Sequence, residues 1–163
     1  SGVPVSEGVD AGERLTLTYP PAMVNNPQAL IATFAHTLAY FMASLAPEEP
    51  PGGRDNWAQL TEVLAVFMGF GLMIVNTAYQ APKGGCGSCH VPGSERTGAL
   101  SQYDLTYSLA LFCKLKGIPN AAVLPHLKSA LKGYYKAAVK ELGRREPELE
   151  RLRAGDAAAP VPG

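Results

Sequence analysis

The sequence predicts a mainly α protein: a single compact domain of about four to five helices behind a short N-terminal strand or hairpin. Three observations carry this. Long apolar segments are bracketed by helix-capping residues and Pro/Gly breaks. The alternation of strands and helices that marks a parallel sheet is absent. The chain of 163 residues, 47% of them hydrophobic, suits one core rather than two.

The elements follow in order. Residues 1–13 are expected to be flexible, with Ser1 and Gly2 a processing remnant. Arg14 to Tyr19 alternates enough for a short strand, pairing with Val3 to Ser6. Asn26 is a good N-cap and Pro27 fits the first helical position, so a helix should run from there to about Ala46. The Pro/Gly stretch from Pro47 to Gly53 ends it. A second long helix is predicted from Asp55 or Asn56 to about Gln80. Gly69 and Gly71 lie inside it, which close packing or a kink would explain. Ala81 to Ala99 forms a long loop.

A third helix begins at Ser101, with Asp104 completing an acidic variant of the capping box, and stops at Gly117. A fourth covers about Asn120 to Leu142, with a break or shifted start at Pro125. A short charged helix follows at Glu146 to Arg153. The domain is placed at 14–153, and 154–163 reads as a disordered tail.

Lysine plus arginine equals aspartate plus glutamate, 14 each. A neutral chain gains no general attraction to nucleic acid or anionic membrane, so neither is expected as a partner. The apolar segments read as core helices rather than membrane spans. No export signal is visible, and three cysteines are an odd count for a disulfide scaffold. The compartment stays open, with the cytoplasm slightly favoured.

The distribution of charge says more than its total. No Asp, Glu, Lys or Arg lies between Arg14 and Glu48, and between Asp55 and Lys83 the sole one is Glu62. Two helices apolar nearly all round are expected to be buried, and His36 and Glu62 are then their lone ionisable groups. A buried carboxylate must be protonated, hydrogen-bonded, paired, bound to metal, or close to water. Pairing with His36 is the simplest resolution. Against a metal role, a lone histidine in an apolar helix is more often a satisfied core residue than a ligand.

Together these residues resemble a family of uncharacterised bacterial proteins that carry a zincin-type metallopeptidase helix. In that family Y-D-P-A-L-L-D-D-P-x-A-L-V-A-T leads to A-H-E-L-A-H, and T-D-L-L-A-V-F-x-G-F-G-x-F-x-A-N-S-A follows. Here Tyr19 to Tyr40 and Thr61 to Ala78 match, and Leu100 to Ile118 looks like the family's next helix. The resemblance covers most of Leu15 to Leu142. It implies a zinc site of two histidines one turn apart, a glutamate general base between them, and an acidic ligand from a following helix.

Carried over, His36 matches the first ligand and Glu62 the acidic one. Thr37 stands where the base belongs and Tyr40 where the second histidine belongs. Threonine is no carboxylate base, and a neutral phenol is a poor zinc ligand. The resemblance therefore implies a degenerate, non-catalytic domain, a pseudoenzyme acting as a structural or protein-interaction module with an unknown protein partner. His36, Tyr40 and Glu62 would persist as a hydrogen-bonded polar cluster. The competing class is a metal-dependent hydrolase built on His36, Glu62 and a further ligand.

Cys86-Gly-Ser-Cys89-His90 offers a third class. It matches a c-type haem attachment site, a zinc knuckle completed by His90, Cys113 or His126, and a redox dithiol. Haem is disfavoured because it needs export and an apolar pocket. The second Cys pair of a convincing zinc site is missing, and Cys113 reads as core. The expectation is free thiols or a Cys86–Cys89 disulfide, with no cofactor and with zinc as the alternative. Lys128, Lys132, Lys136 and Lys140 read as a solvated helix face, or else as a contact surface for an acidic partner.

Overall fold

A computed structural model of the chain describes residues 16–78 and 99–155, and its described residues are mainly helical. Helix α1 is Pro27–Ser44; the Asn26 side chain caps it by accepting from the Ala29 N–H at 3.2 Å. The second predicted helix is two helices joined through a kink. α2 is Trp57–Ala65, a wider turn covers Val66–Phe70, and α3 is Gly71–Thr77.

The two inner glycines serve different ends. Gly69 adopts φ 97°, a conformation L side chains rarely take, and it breaks the helix. Gly71 keeps helical geometry but lies against α4 (Gln102–Leu115). A Cβ there would stand 2.8 Å from Leu109 Cδ1 and 3.0 Å from Val66 Cγ1.

Helix α4 starts as expected. The Ser101 hydroxyl accepts from the Asp104 N–H, and the Asp104 carboxylate accepts from the Ser101 N–H, each at 3.1 Å. It ends where Gly117 turns to φ 67°, which lets the Ile118 N–H donate to the Cys113 carbonyl at 2.8 Å. The fourth predicted helix breaks at Pro125. A short α5 (Asn120–Val123) and a tight turn through His126 precede α6 (Ser129–Leu142). The charged helix α7 is Glu146–Ala154, one residue past the expected boundary.

The N-terminal strand does not form among the described residues. Thr16 to Pro20 has no strand pairing, and Pro20 and Pro21, which lack N–H donors, lead into a tight helical turn. Tyr19 instead packs edge-on against Phe34 of α1, ring centroids 5.6 Å apart. The expectations for residues 1–13, for Arg14 and Leu15, for the loop up to Gly98 and for the tail from Asp156 fall outside the described residues.

α4 is the central element. It packs against α3 on one side and α6 on the other, while α1 lies along α2 and α3 and α7 touches α4. Leu105, Leu109, Ala110 and Cys113 of α4 share one buried core with the stripe of α6, Leu131, Tyr135, Ala138 and Leu142. Burying an apolar side chain of this size contributes about 1.5–3 kcal/mol. Lys136 and Lys140 are exposed opposite that stripe and Lys132 is half-buried, as a solvated face requires. The stretch Arg54–Thr77 is long and apolar enough to cross a membrane by length and composition. In this fold it is kinked at Gly69 and packs on α1 and α4.

Candidate functional site

Polar side chains in the interior tie helix ends together. Asn76, at the end of α3, donates to the His126 carbonyl at 2.8 Å and accepts from the Lys128 N–H at 3.1 Å. It thereby fixes the link between α5 and α6. Gln102, in the first turn of α4, donates to the Val75 carbonyl at 2.9 Å, one of the last carbonyls of α3.

Glu62 belongs to the same set. It is buried, 5% exposed, and each carboxylate oxygen takes one backbone donor. Oε1 accepts from the Ala99 N–H at 2.7 Å and Oε2 from the Leu100 N–H at 2.8 Å. Those amides immediately precede the Ser101 cap, so the carboxylate stands just outside the N-terminus of α4, where a helix favours negative charge. Of the resolutions open to a buried carboxylate, this chain adopts hydrogen bonding, and to backbone rather than to His36.

The other candidate residues lie elsewhere. His36 and Tyr40 are exposed on the outer surface of α1, one turn apart. No hydrogen bond joins them to each other or to Glu62 among the described residues, so the expected polar cluster is not formed. The Thr37 hydroxyl donates to the Thr33 carbonyl at 3.0 Å, as Thr33 does to Ala29 at 2.9 Å; each threonine is satisfied within its own helix. Among the described residues, no three of His, Cys, Asp or Glu cluster closely enough to hold a metal ion. Cys86, Cys89 and His90, the alternative zinc or haem ligands, lie outside the described residues.

The expectation that α1 is buried also needs correction. Only its alanines, Ala32, Ala35, Ala39 and Ala43, are buried, while Ile31, Leu38, Tyr40 and Met42 are exposed, as is Leu45 at its C-cap. Small side chains on one face let α1 approach α2 and α3 closely, which leaves the large ones outside. Segregation of alanine from the larger residues was visible in the sequence, but overall hydropathy concealed it. Ala99 and Leu100 were missed for a different reason: backbone donors carry no residue signature.

Cys113 is buried beside Tyr135 in the α4–α6 core, as its apolar setting implied. Burial pushes its thiol above the ordinary range, and hydrogen bonding to Tyr135 acts in the opposite sense. Burial, then the Cys113 thiol, likewise raises the Tyr135 phenol. A cavity of about 340 Å³ lies alongside, lined in part by Lys114, Asn120 and Arg153. Tyr135 is fully buried beneath it. A protonated, enclosed thiol is a slow nucleophile. Compared with protein-family models, curated proteins and solved structures, the chain finds no match.

Proposed function

We propose that this chain is a non-catalytic helical module, a degenerate zincin-like domain that acts as a structural or protein-interaction module. The observation that carries the reading is the commitment of both Glu62 oxygens to the Ala99 and Leu100 amides. Were the carboxylate to turn to a metal, two backbone donors would lose their acceptor, at about 1–3 kcal/mol for each buried group.

The resemblance supports the same conclusion from the chemistry of its replacements. Thr37 supplies a hydroxyl already bonded to its own helix where the family has a general base. Tyr40 supplies an exposed phenol where the family has an imidazole. The exposed Ile31, Leu38 and Met42 of α1, with Leu45 at its end, support binding as the activity that takes catalysis's place, since exposed apolar surface marks interaction sites.

Zinc reconstitution of the purified chain tests this, with metal counted per chain in the parent and in His36→Ala, alongside a peptide hydrolysis assay. The expected result is no zinc that depends on His36 and no hydrolysis. Stoichiometric zinc lost in His36→Ala, with hydrolysis lost alongside it, would replace this reading by the metal-dependent hydrolase. Zinc lost instead in Cys89→Ala would assign a structural site to the Cys86–His90 segment.

A further inference from the structure

α1 has two apolar faces, and the inner one is alanine, packed on α2 and α3. The outer one is made of large residues in a regular order. Ile31, Leu38 and Leu45 are 37%, 38% and 61% exposed and lie seven residues apart, with half-buried Phe41 and Phe34 between them, the latter already meeting Tyr19 edge-on. Positions 31, 34, 38, 41 and 45 step alternately by three and four, which is the a/d seam of a coiled coil. The row is about 21 Å long at 1.5 Å per residue. An isolated helix of this length would be marginal, but here α2 and α3 already hold it in place.

Charge argues for what covers the seam. No Asp, Glu, Lys or Arg occurs from Leu15 to Pro47. The flanking positions are Leu30, Thr37 and Ser44 on one side and Ala35 and Met42 on the other, so the surface offers no ion pair. A charged partner would desolvate its charges here without compensation. Helices that lie on membranes carry lysine or arginine along their polar face; α1 has none, and Glu48 and Glu49 follow it. A second copy brings the same uncharged row, with no charge to repel or to strand. A two-fold interface also makes one patch its own complement.

We propose that the outer seam of α1 pairs two copies of this chain, helix against helix, with Leu38 at the centre. The inference rests on the reading of the chain as a binding module and names its partner. Leu38, the middle of five seam positions, faces Leu38 of the partner subunit in a parallel pair, whereas an antiparallel pair sets it against Phe34 or Phe41 of the partner subunit. Leu45 meets Leu45 of the partner subunit only in the parallel pair.

Sedimentation of the full chain over a wide concentration range, compared with Leu38→Glu, provides the test. The parent should sediment as a dimer. Leu38→Glu should dissociate at least about tenfold more readily, with an unchanged circular dichroism spectrum because the site is exposed. Leu38→Cys, with Cys86 and Cys89 replaced by serine, should cross-link to itself on mild oxidation. A parent that is monomeric throughout, as when another segment or another protein covers the seam, would overturn the proposal. So would a dimer that Leu38→Glu leaves intact, or a monomer that instead binds phosphatidylcholine vesicles. A monomer without His36-dependent zinc removes the dimer alone, whereas His36-dependent zinc with hydrolysis removes the underlying reading.

Discussion

Glu62 Oε2 accepts the Leu100 N–H at 2.8 Å across 38 residues of chain, and the neighbouring oxygen accepts the Ala99 N–H. The carboxylate thus pins the entrance of α4 to the middle of α2. Both oxygens act only as acceptors, and that makes the arrangement sensitive to an apparently mild substitution.

Glu62→Gln keeps the shape but replaces one acceptor with an NH₂ group facing an N–H. It should lower unfolding free energy by about 1–3 kcal/mol, and Glu62→Ala by at least as much. Urea denaturation measures both. An unchanged midpoint for Glu62→Gln would mean that the amides are not bonded as described.

Gly69 and Gly71 should respond differently to alanine. At Gly69 the obstacle is backbone conformation, so Gly69→Ala should cost about 1–2 kcal/mol, and Gly69→Asn less, since asparagine tolerates positive φ. At Gly71 the obstacle is Leu109, so Gly71→Ala should cost about 1–3 kcal/mol. Combined with Leu109→Ala, its effect should shrink. Denaturation of the double-mutant cycle reads that coupling.

Cys113 and Tyr135 give the fold an alkaline limit. Their thiol and phenol are raised in the folded chain above ordinary values of 9.0 and 10.0. Below those values both states are protonated and the contribution is fully present. As pH rises past 9 the unfolded chain loses its thiol proton first, so stability falls. Cys113→Ala should flatten the decline above pH 9 in urea melts. With Cys86 and Cys89 replaced by serine, native Cys113 should also alkylate more slowly than free cysteine.

The sequence was informative wherever a signal is local. Asn26, the Ser101–Asp104 pair, Gly117 and Pro125 all act within a few residues of themselves, and each does what its type implies. Even the paired reasons offered for Gly69 and Gly71 hold, one for each residue. Thr16 to Tyr19, the described part of the expected strand, forms none among the described residues, since alternation alone does not supply a pairing partner. Glu62 was recognisable as a problem, but its solution, two main-chain amides far along the chain, has no sequence signature. His36 was misjudged with the rest of α1, because hydropathy reports how apolar a helix is and not which side faces inward.

Glu62 gives both oxygens to backbone amides, and a zinc ion could take them only by displacing the Ala99 and Leu100 N–H groups. The most direct measurement is the ¹H–¹⁵N spectrum of the chain during a zinc titration, with Cys86 and Cys89 replaced by serine. The Ala99 and Leu100 amides should keep their resonance positions and their slow exchange with solvent throughout. Saturating shifts at one zinc per chain, with exchange protection lost at those two amides and retained in His36→Ala, would show instead that the carboxylate turns to zinc.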